Sequence, residues 1–220
     1  MTELLAADSW LVVDGHARAV DRHWARFSAA CGGVDLTAFR ADVERAVPDE
    51  GRWFPRIELR ADGELALDVR PAPPREPTVT AWIADVPDPR RHPKRKGPDL
   101  ERLAALRERA HTHGAGEAVI ADSEGRLLEG AYTSLLWWEG DTLCAVPDDA
   151  PILPGITRAL LIELAGAVEL RSPAPHELAG RETWLVSALH GIRAVSRWVG
   201  GLEPGEPTRA AEWQRRLESC

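Results

Sequence analysis

Residues 117–147 read "EAVIADSEGRLLEGAYTSLLWWEGDTLCAVP". Turn signals interrupt this stretch before any helix of ordinary length can form: "DSEG", a bend at Gly130, and "EGD". The pieces between them have strand length and are rich in Val, Ile, Leu, Trp and Thr. Four short strands joined by tight turns are not stable as an isolated ribbon, so they need further strands and an apolar layer against them. This segment commits the C-terminal half of the chain to a sheet-centred fold.

Strands and helices are interleaved elsewhere. "SWLVVDGHARAV" predicts a strand, an Asp14–Gly15 turn and a second short strand. "DRHWARFSAACGG" predicts a helix with Asp21 as N-cap, stopped by Gly32–Gly33. "DLTAFRADVERAV" is a second helix, with Leu36, Phe39, Val43 and Val47 on one face. "WFPRIELRADGELALDVRPAP" is a hairpin about Asp62–Gly63, with Ile57, Leu59, Leu65 and Leu67 alternating, and "TVTAWIADVP" is a further strand.

Beyond residue 98, "DLERLAALRERAHTHG" is a helix capped by Asp99 and ended by Gly114. "PGITRALLIELAGA" is a helix entered through Pro154–Gly155. "ETWLVSALHGIRAVSRWVG" is a strand, a loop and a strand, and "PTRAAEWQRRLESC" is a last helix. The mixture is α/β of the mixed α+β kind. Residues 85–99 carry four prolines, one glycine and five basic residues, a sharp shift in composition. It divides the chain into a small α+β domain (1–87), a linker (88–98) and an α/β domain (99–220).

A net charge of -8 argues against nucleic-acid and anionic-membrane partners. Three scattered cysteines, Cys31, Cys144 and Cys220, fit a reducing compartment, and the N-terminus has no basic n-region. A cytoplasmic protein is expected. His111 and His113 lie at a helix end without acid or thiol partners at ligand spacing, so no metal set is expected. His23 and His190 stand alone. Trp137 and Trp138 alternate faces of a strand, which puts core packing or a dimer interface ahead of ligand stacking.

Three features carry chemistry. The only two lysines, Lys94 and Lys96, lie in "RRHPKRKGPDLERL", and every other basic residue is arginine. An amine can lose its proton and form a Schiff base, which a guanidinium cannot. "LPGITR" sets glycine before a helix start, so the N–H groups of Ile156 and Thr157 form an anion cradle at the positive end of the helix dipole. Glu129 follows two leucines at a strand end, and if buried it needs a cationic partner such as a protonated pyridine.

These segments together resemble the fold-type IV (class IV) pyridoxal-phosphate enzymes: branched-chain and D-amino-acid aminotransferases, and aminodeoxychorismate lyase. The family pattern "EA-[VL]-x-x-D-x-x-G-x-x-x-E-[GSC]", then "[LV]-x-G-[IV]-x-R", is matched by "EAVIADSEGRLLEG" and "LPGITR". "VSALHGIRAV" is similar to the lyase's "NALxGxxPV", and "RHWARF" to the family's "HxxRL". The resemblance implies a D-amino-acid-aminotransferase-like fold with pyridoxal 5'-phosphate in the cleft between two small domains, the N-terminal one shortened. It implies Lys96 as Schiff-base lysine and proton carrier, Glu129 on the pyridine nitrogen, and Arg26 on the phosphate. Backbone amides of Ile156 and Thr157, and Ser187, are further phosphate contacts. It implies a small-molecule amine substrate and a homodimer.

The chain departs from the family pattern in three places. "DRGxxYGDGxF" is absent, the usual Asn after the glutamate is Ser134, and Leu100 and Glu101 occupy the region where the transaminases place a tyrosine. The missing tyrosine and "VSALHGIRAV" favour a lyase converting 4-amino-4-deoxychorismate to 4-aminobenzoate and pyruvate. An aminotransferase and a non-catalytic binding relative are the alternatives.

Overall fold

A computed structural model describes residues 3–220. It divides into two compact units: residues up to Arg75 together with Arg95–Leu100, and Glu76–Lys94 together with Glu101–Cys220.

The first unit holds β1 (Leu4–Ser9), β2 (Val12–Val13), β3 (His16–Ala17), α1 (Val20–Ala30), α2 (Thr37–Ala46), β4 (Arg52–Trp53), β5 (Arg56–Arg60) and β6 (Leu65–Asp68). The expected hairpin about Asp62–Gly63 forms, and its register sets Ile57 opposite Leu67 and Leu59 opposite Leu65. β1 adds antiparallel to β5, giving the order β1-β5-β6, and β3-β2-β4 form a second small sheet. The Asp14–Gly15 turn has positive φ at both residues (46° and 76°), the geometry a two-residue hairpin demands. Trp10, Trp24, Phe27, Val43, Ile57 and Leu59 make the core, with Leu36, Phe39 and Val47 packed on it. α1 starts at Val20, capped by Ala19 at φ 49°, and not at the expected Asp21. Asp21 sits instead in the first turn and pairs with Arg40 at 2.8 Å.

The second unit holds β7 (Thr78–Ile83), α3 (Leu100–Thr112), β8 (Glu117–Ala121), β9 (Leu127–Gly130), β10 (Ser134–Glu139), β11 (Thr142–Ala145) and α4 (Ile156–Ala165). After these come β12 (Val168–Leu170), a 3-10 turn (Pro175–Leu178), β13 (Thr183–Ser187), β14 (Gly191–Val199) and α5 (Ala210–Glu218). The strand order is β12-β11-β10-β13-β14-β7-β8-β9, and β9 also pairs with β10 through Glu129 and Ser134. Six strands, β10-β13-β14-β7-β8-β9, therefore close into a ring. β10 alternates as expected: Leu135 and Trp137 join the main core, while Trp138 packs on Trp184 and Trp213. No helix among the described residues is long and apolar enough to cross a membrane.

The division of the chain differs from the expected 88–98 linker. β7 pairs in parallel with both β14 and β8, so the second unit begins at Glu76. The chain then re-enters the first unit for Arg95–Leu100. There the Ala7 N–H donates to the Lys96 carbonyl at 2.8 Å. Gly97 lies so close to β1 that a Cβ would stand 2.8 Å from Ala6 Cα, and its φ is +135°. Gly97→Ala should cost about 1–3 kcal/mol, read as a lower denaturation midpoint. Hydrogen exchange at the Ala7 amide should speed up, while amides of β10 and β13 keep their protection.

Candidate functional site

In the first unit the chemistry centres on Asp8, whose side chain is fully buried on β1. One turn of α1 presents His23 and Arg26, three residues apart, to this carboxylate. His23 Nδ1 lies 2.8 Å from Asp8 Oδ1, and Arg26 donates from Nε to Oδ2 and from a terminal nitrogen to Oδ1, each at 2.8 Å. Burial opposes the Asp8 charge, yet the His23 hydrogen bond and the Arg26 guanidinium outweigh it and hold the carboxyl well below the usual range. An ionised carboxylate only accepts hydrogen bonds, so Nδ1 of His23 is the donor and Nε2 keeps its lone pair. Burial lowers the His23 pKa, the Asp8 hydrogen bond resists, and the charges of Arg26 and Lys96 lower it further. The Lys96 backbone is docked on the residue before Asp8.

In the second unit Glu129 sits on β9, only 4% exposed. Its Oε1 accepts the Leu153 N–H at 2.8 Å and the guanidinium of Arg90. Arg90 is itself buried, chelated by Asp88 at 2.9 and 2.8 Å, and donates to the Pro151 carbonyl at 2.9 Å. Burial pushes the Glu129 carboxyl up to about 7, against the opposing pull of Arg90 and the Leu153 N–H.

Across the strand from Glu129 stands Ser134, and a Cβ at Gly155 would run into its hydroxyl. The glycine of "LPGITR" thus lets the start of α4 lie against β10. Ile156 and Thr157, both buried, open α4 with no side-chain cap, which leaves the positive end of the helix to other partners. Val186 pairs with Ser134 on the other side of β10, so the next residue, Ser187, ends the neighbouring strand. Its hydroxyl accepts the His190 N–H at 3.3 Å.

The expected residues fall into two sets: Lys96 and Arg26 in the first unit, and Glu129, Ile156, Thr157 and Ser187 in the second. Each set is gathered locally, the first by Asp8 and β1, the second by Ser134 and Gly155. Lys94 has a structural task, donating from Nζ to the carbonyls of Asp148 (3.0 Å) and Asp149 (3.3 Å). Sequence reasoning missed Asp8, Arg90 and Arg158. Arg158 is 3% exposed and holds Asp148 at 2.7 Å and the Val146 carbonyl. It also left His23 alone, whereas Asp8 is its partner. The one signal for Asp8 was an acid inside an apolar strand, "LLAADSW".

Residues 5–198 match the family model described as amino-transferase class IV. The chain belongs to the class IV aminotransferase family. Among curated proteins, no sequence matches it. Solved structures share the fold of this class IV enzyme. A hypothetical aminotransferase from Mycobacterium tuberculosis, with alpha-ketoglutarate and PMP bound, is 23% identical over 99% of this chain and 88% of its own, with a TM-score of 0.84. A protein assigned as a 4-amino-4-deoxychorismate lyase from Legionella pneumophila is 16% identical over 99% and 91%, with a TM-score of 0.85. The branched-chain aminotransferase of Thermoproteus uzoniensis, with norvaline, is 18% identical over 97% and 84%, with a TM-score of 0.82.

The family depends on pyridoxal phosphate, and the residues present suit it chemically. An uncapped helix start backed by glycine suits a phosphate. A buried carboxyl titrating near neutrality suits a protonated ring nitrogen. Lys96 carries the kind of side-chain amine that a Schiff base requires.

Glu129 also leaves a mark on stability. Its folded pKa, about 7, lies above the ordinary value of 4.5, so between these limits the folded state holds a proton that the unfolded state has lost. This contribution is fully present below about pH 4.5 and is lost as pH rises through about 7. His23, whose pKa is lowered, acts with the opposite sign: its contribution is present above about pH 6.5 and is lost as pH falls from there through its lowered folded value. In the cofactor-free protein, Glu129→Gln should therefore make stability rise more steeply from pH 4.5 to 7 than in the parent. Urea denaturation at closely spaced pH values checks this, and parallel curves would refute it.

Proposed function

We propose that this chain is a pyridoxal-phosphate lyase that converts 4-amino-4-deoxychorismate to 4-aminobenzoate and pyruvate. The observation that carries the cofactor reading is Glu129, a buried carboxyl on the strand next to an uncapped, glycine-backed helix start. When bound, pyridoxal phosphate supplies an electron sink for the substrate carbon attached to nitrogen. Lys96 would hold the cofactor through Nζ and, once its amine is free, would carry the proton of the substrate carbon attached to nitrogen. Glu129 keeps the ring nitrogen protonated. Arg26 binds the phosphate as a charged donor, and the N–H groups of Ile156 and Thr157, with Ser187, bind its remaining oxygens. The expected homodimer and cytoplasmic setting belong to the same proposal.

Support for the lyase comes from Leu100 and Glu101, where the transaminases place a tyrosine, and from "VSALHGIRAV". Support for the second reading, an aminotransferase, comes from fold neighbours bearing that name at TM-scores of 0.84 and 0.82, against 0.85 for the lyase neighbour. Borohydride reduction of the cofactor-loaded protein, followed by peptide mapping, should label Lys96, and a label on Lys94 would overturn the residue assignment. Incubation with 4-amino-4-deoxychorismate should release 4-aminobenzoate and pyruvate in equal amounts. Keto acid formation from an amino-acid donor, without 4-aminobenzoate from 4-amino-4-deoxychorismate, would select the aminotransferase. Lys96→Arg should abolish either activity, since it keeps the charge and removes the nucleophile.

A further inference from the structure

We infer that Asp8 is the positioning residue of this site: it fixes the Arg26 guanidinium for the cofactor phosphate without touching the cofactor. The inference rests on the proposed reading, in which Arg26 meets the phosphate and Lys96 the carbonyl.

Asp8 is fully buried, so it is inaccessible to a ligand. Its two oxygens take Nε and one terminal nitrogen of Arg26, each at 2.8 Å. A guanidinium carries five N–H donors in a rigid fork, so one edge can be fixed by a carboxylate while the rest serves a second anion. The same carboxylate fixes the His23 ring at 2.8 Å. His23 and Arg26 share one face of α1, so Asp8 sets the rotation of that face against β1.

β1 also seats the lysine. The Ala7 N–H holds the Lys96 carbonyl at 2.8 Å, and Gly97 allows the contact with Ala6. One strand thereby sets two distances: Arg26 through the Asp8 side chain, and Lys96 through the backbone one residue earlier. A ligand gripped at both its phosphate and its carbonyl gains from a fixed spacing, because the groups need no ordering on binding. The charges of Arg26 and Lys96 both act on His23, and Asp8 is the anion that opposes them there. Without it, Arg26 would lose the Asp8 charge together with the paired contact that orients it.

The opposite possibility is that Asp8 competes with the phosphate for Arg26. The two predict changes of opposite sign. The probes are pyridoxal 5'-phosphate and pyridoxal, which lacks the phosphate, each titrated into cofactor-free protein and followed by the visible absorption of the bound form. If Asp8 positions Arg26, Asp8→Asn weakens pyridoxal 5'-phosphate by about 10–100-fold and leaves pyridoxal nearly unchanged. Tighter binding of pyridoxal 5'-phosphate by the variant would overturn the inference. So would an equal loss for both probes, which marks a general loss of structure.

Arg26→Lys keeps a cation but cannot make the paired contact with Asp8, and it gives an independent reading if Asp8→Asn folds poorly. It should lose the same phosphate preference, and Asp8→Asn combined with Arg26→Lys should lose little more than either alone. Full additivity would sink the coupling. Borohydride mapping on the parent separates the two levels: no label on either lysine overturns the cofactor reading and this inference with it, and a label on Lys94 overturns the Lys96 assignment on which the inference rests. A label on Lys96 with unchanged probe preference in Asp8→Asn overturns the inference alone.

Discussion

Ser134 lies opposite Glu129, and this single pairing turns the strands of the second unit into a ring. Closure covers the outer edge of β9, every residue of which is buried, Glu129 included. An acid placed there must be answered. Arg90 answers it, and is held in turn by Asp88 and the Pro151 carbonyl. Ser134 has a second role, since its hydroxyl lies against Gly155 and so sets where α4 starts. Only a glycine at 155 lets the helix start come this close to the Ser134 hydroxyl.

Both units solve the problem of a buried carboxylate with arginine, but to different ends. Asp8 receives two hydrogen bonds from Arg26 and one from His23, which drives its pKa down and keeps it charged. Glu129 receives fewer, and burial wins, leaving it near neutrality. The difference follows from the number of donors each carboxylate meets and from how far each partner is committed elsewhere. Arg90 shares its charge with Asp88, whereas Arg26 turns two of its nitrogens to Asp8.

Local elements were legible in the sequence. The Asp62–Gly63 hairpin, the face of α2 and the four strands of 117–147 follow from alternation, helical spacing and turn residues, all of which act within a few positions. Partner choice was not. "TVTAWI" announces a strand, but nothing in it announces parallel pairing with strands that begin at residues 117 and 191, which is why the division of the chain falls elsewhere than expected. The basic run was equally opaque. Arg90, Lys94 and Lys96 look alike in composition, yet one answers a buried acid, one ties down a loop and one is seated on a strand. Such roles depend on residues 39 to 89 positions away, which no local pattern encodes. Asp8 was visible only as an acid among apolar neighbours, without its partners.

The return of Arg95–Leu100 to the first unit has a practical meaning for anyone dissecting the chain. A fragment ending at Arg75 would lack the segment that covers Ala6 and Ala7, and would present bare backbone on β1 where the Lys96 carbonyl belongs. The first unit is a split module. Its missing piece is a hexapeptide that could be rejoined by a short engineered connection or offered as a separate chain. The lysine would then arrive as an exchangeable part, and unnatural amines could be delivered to that position without rebuilding the rest of the protein.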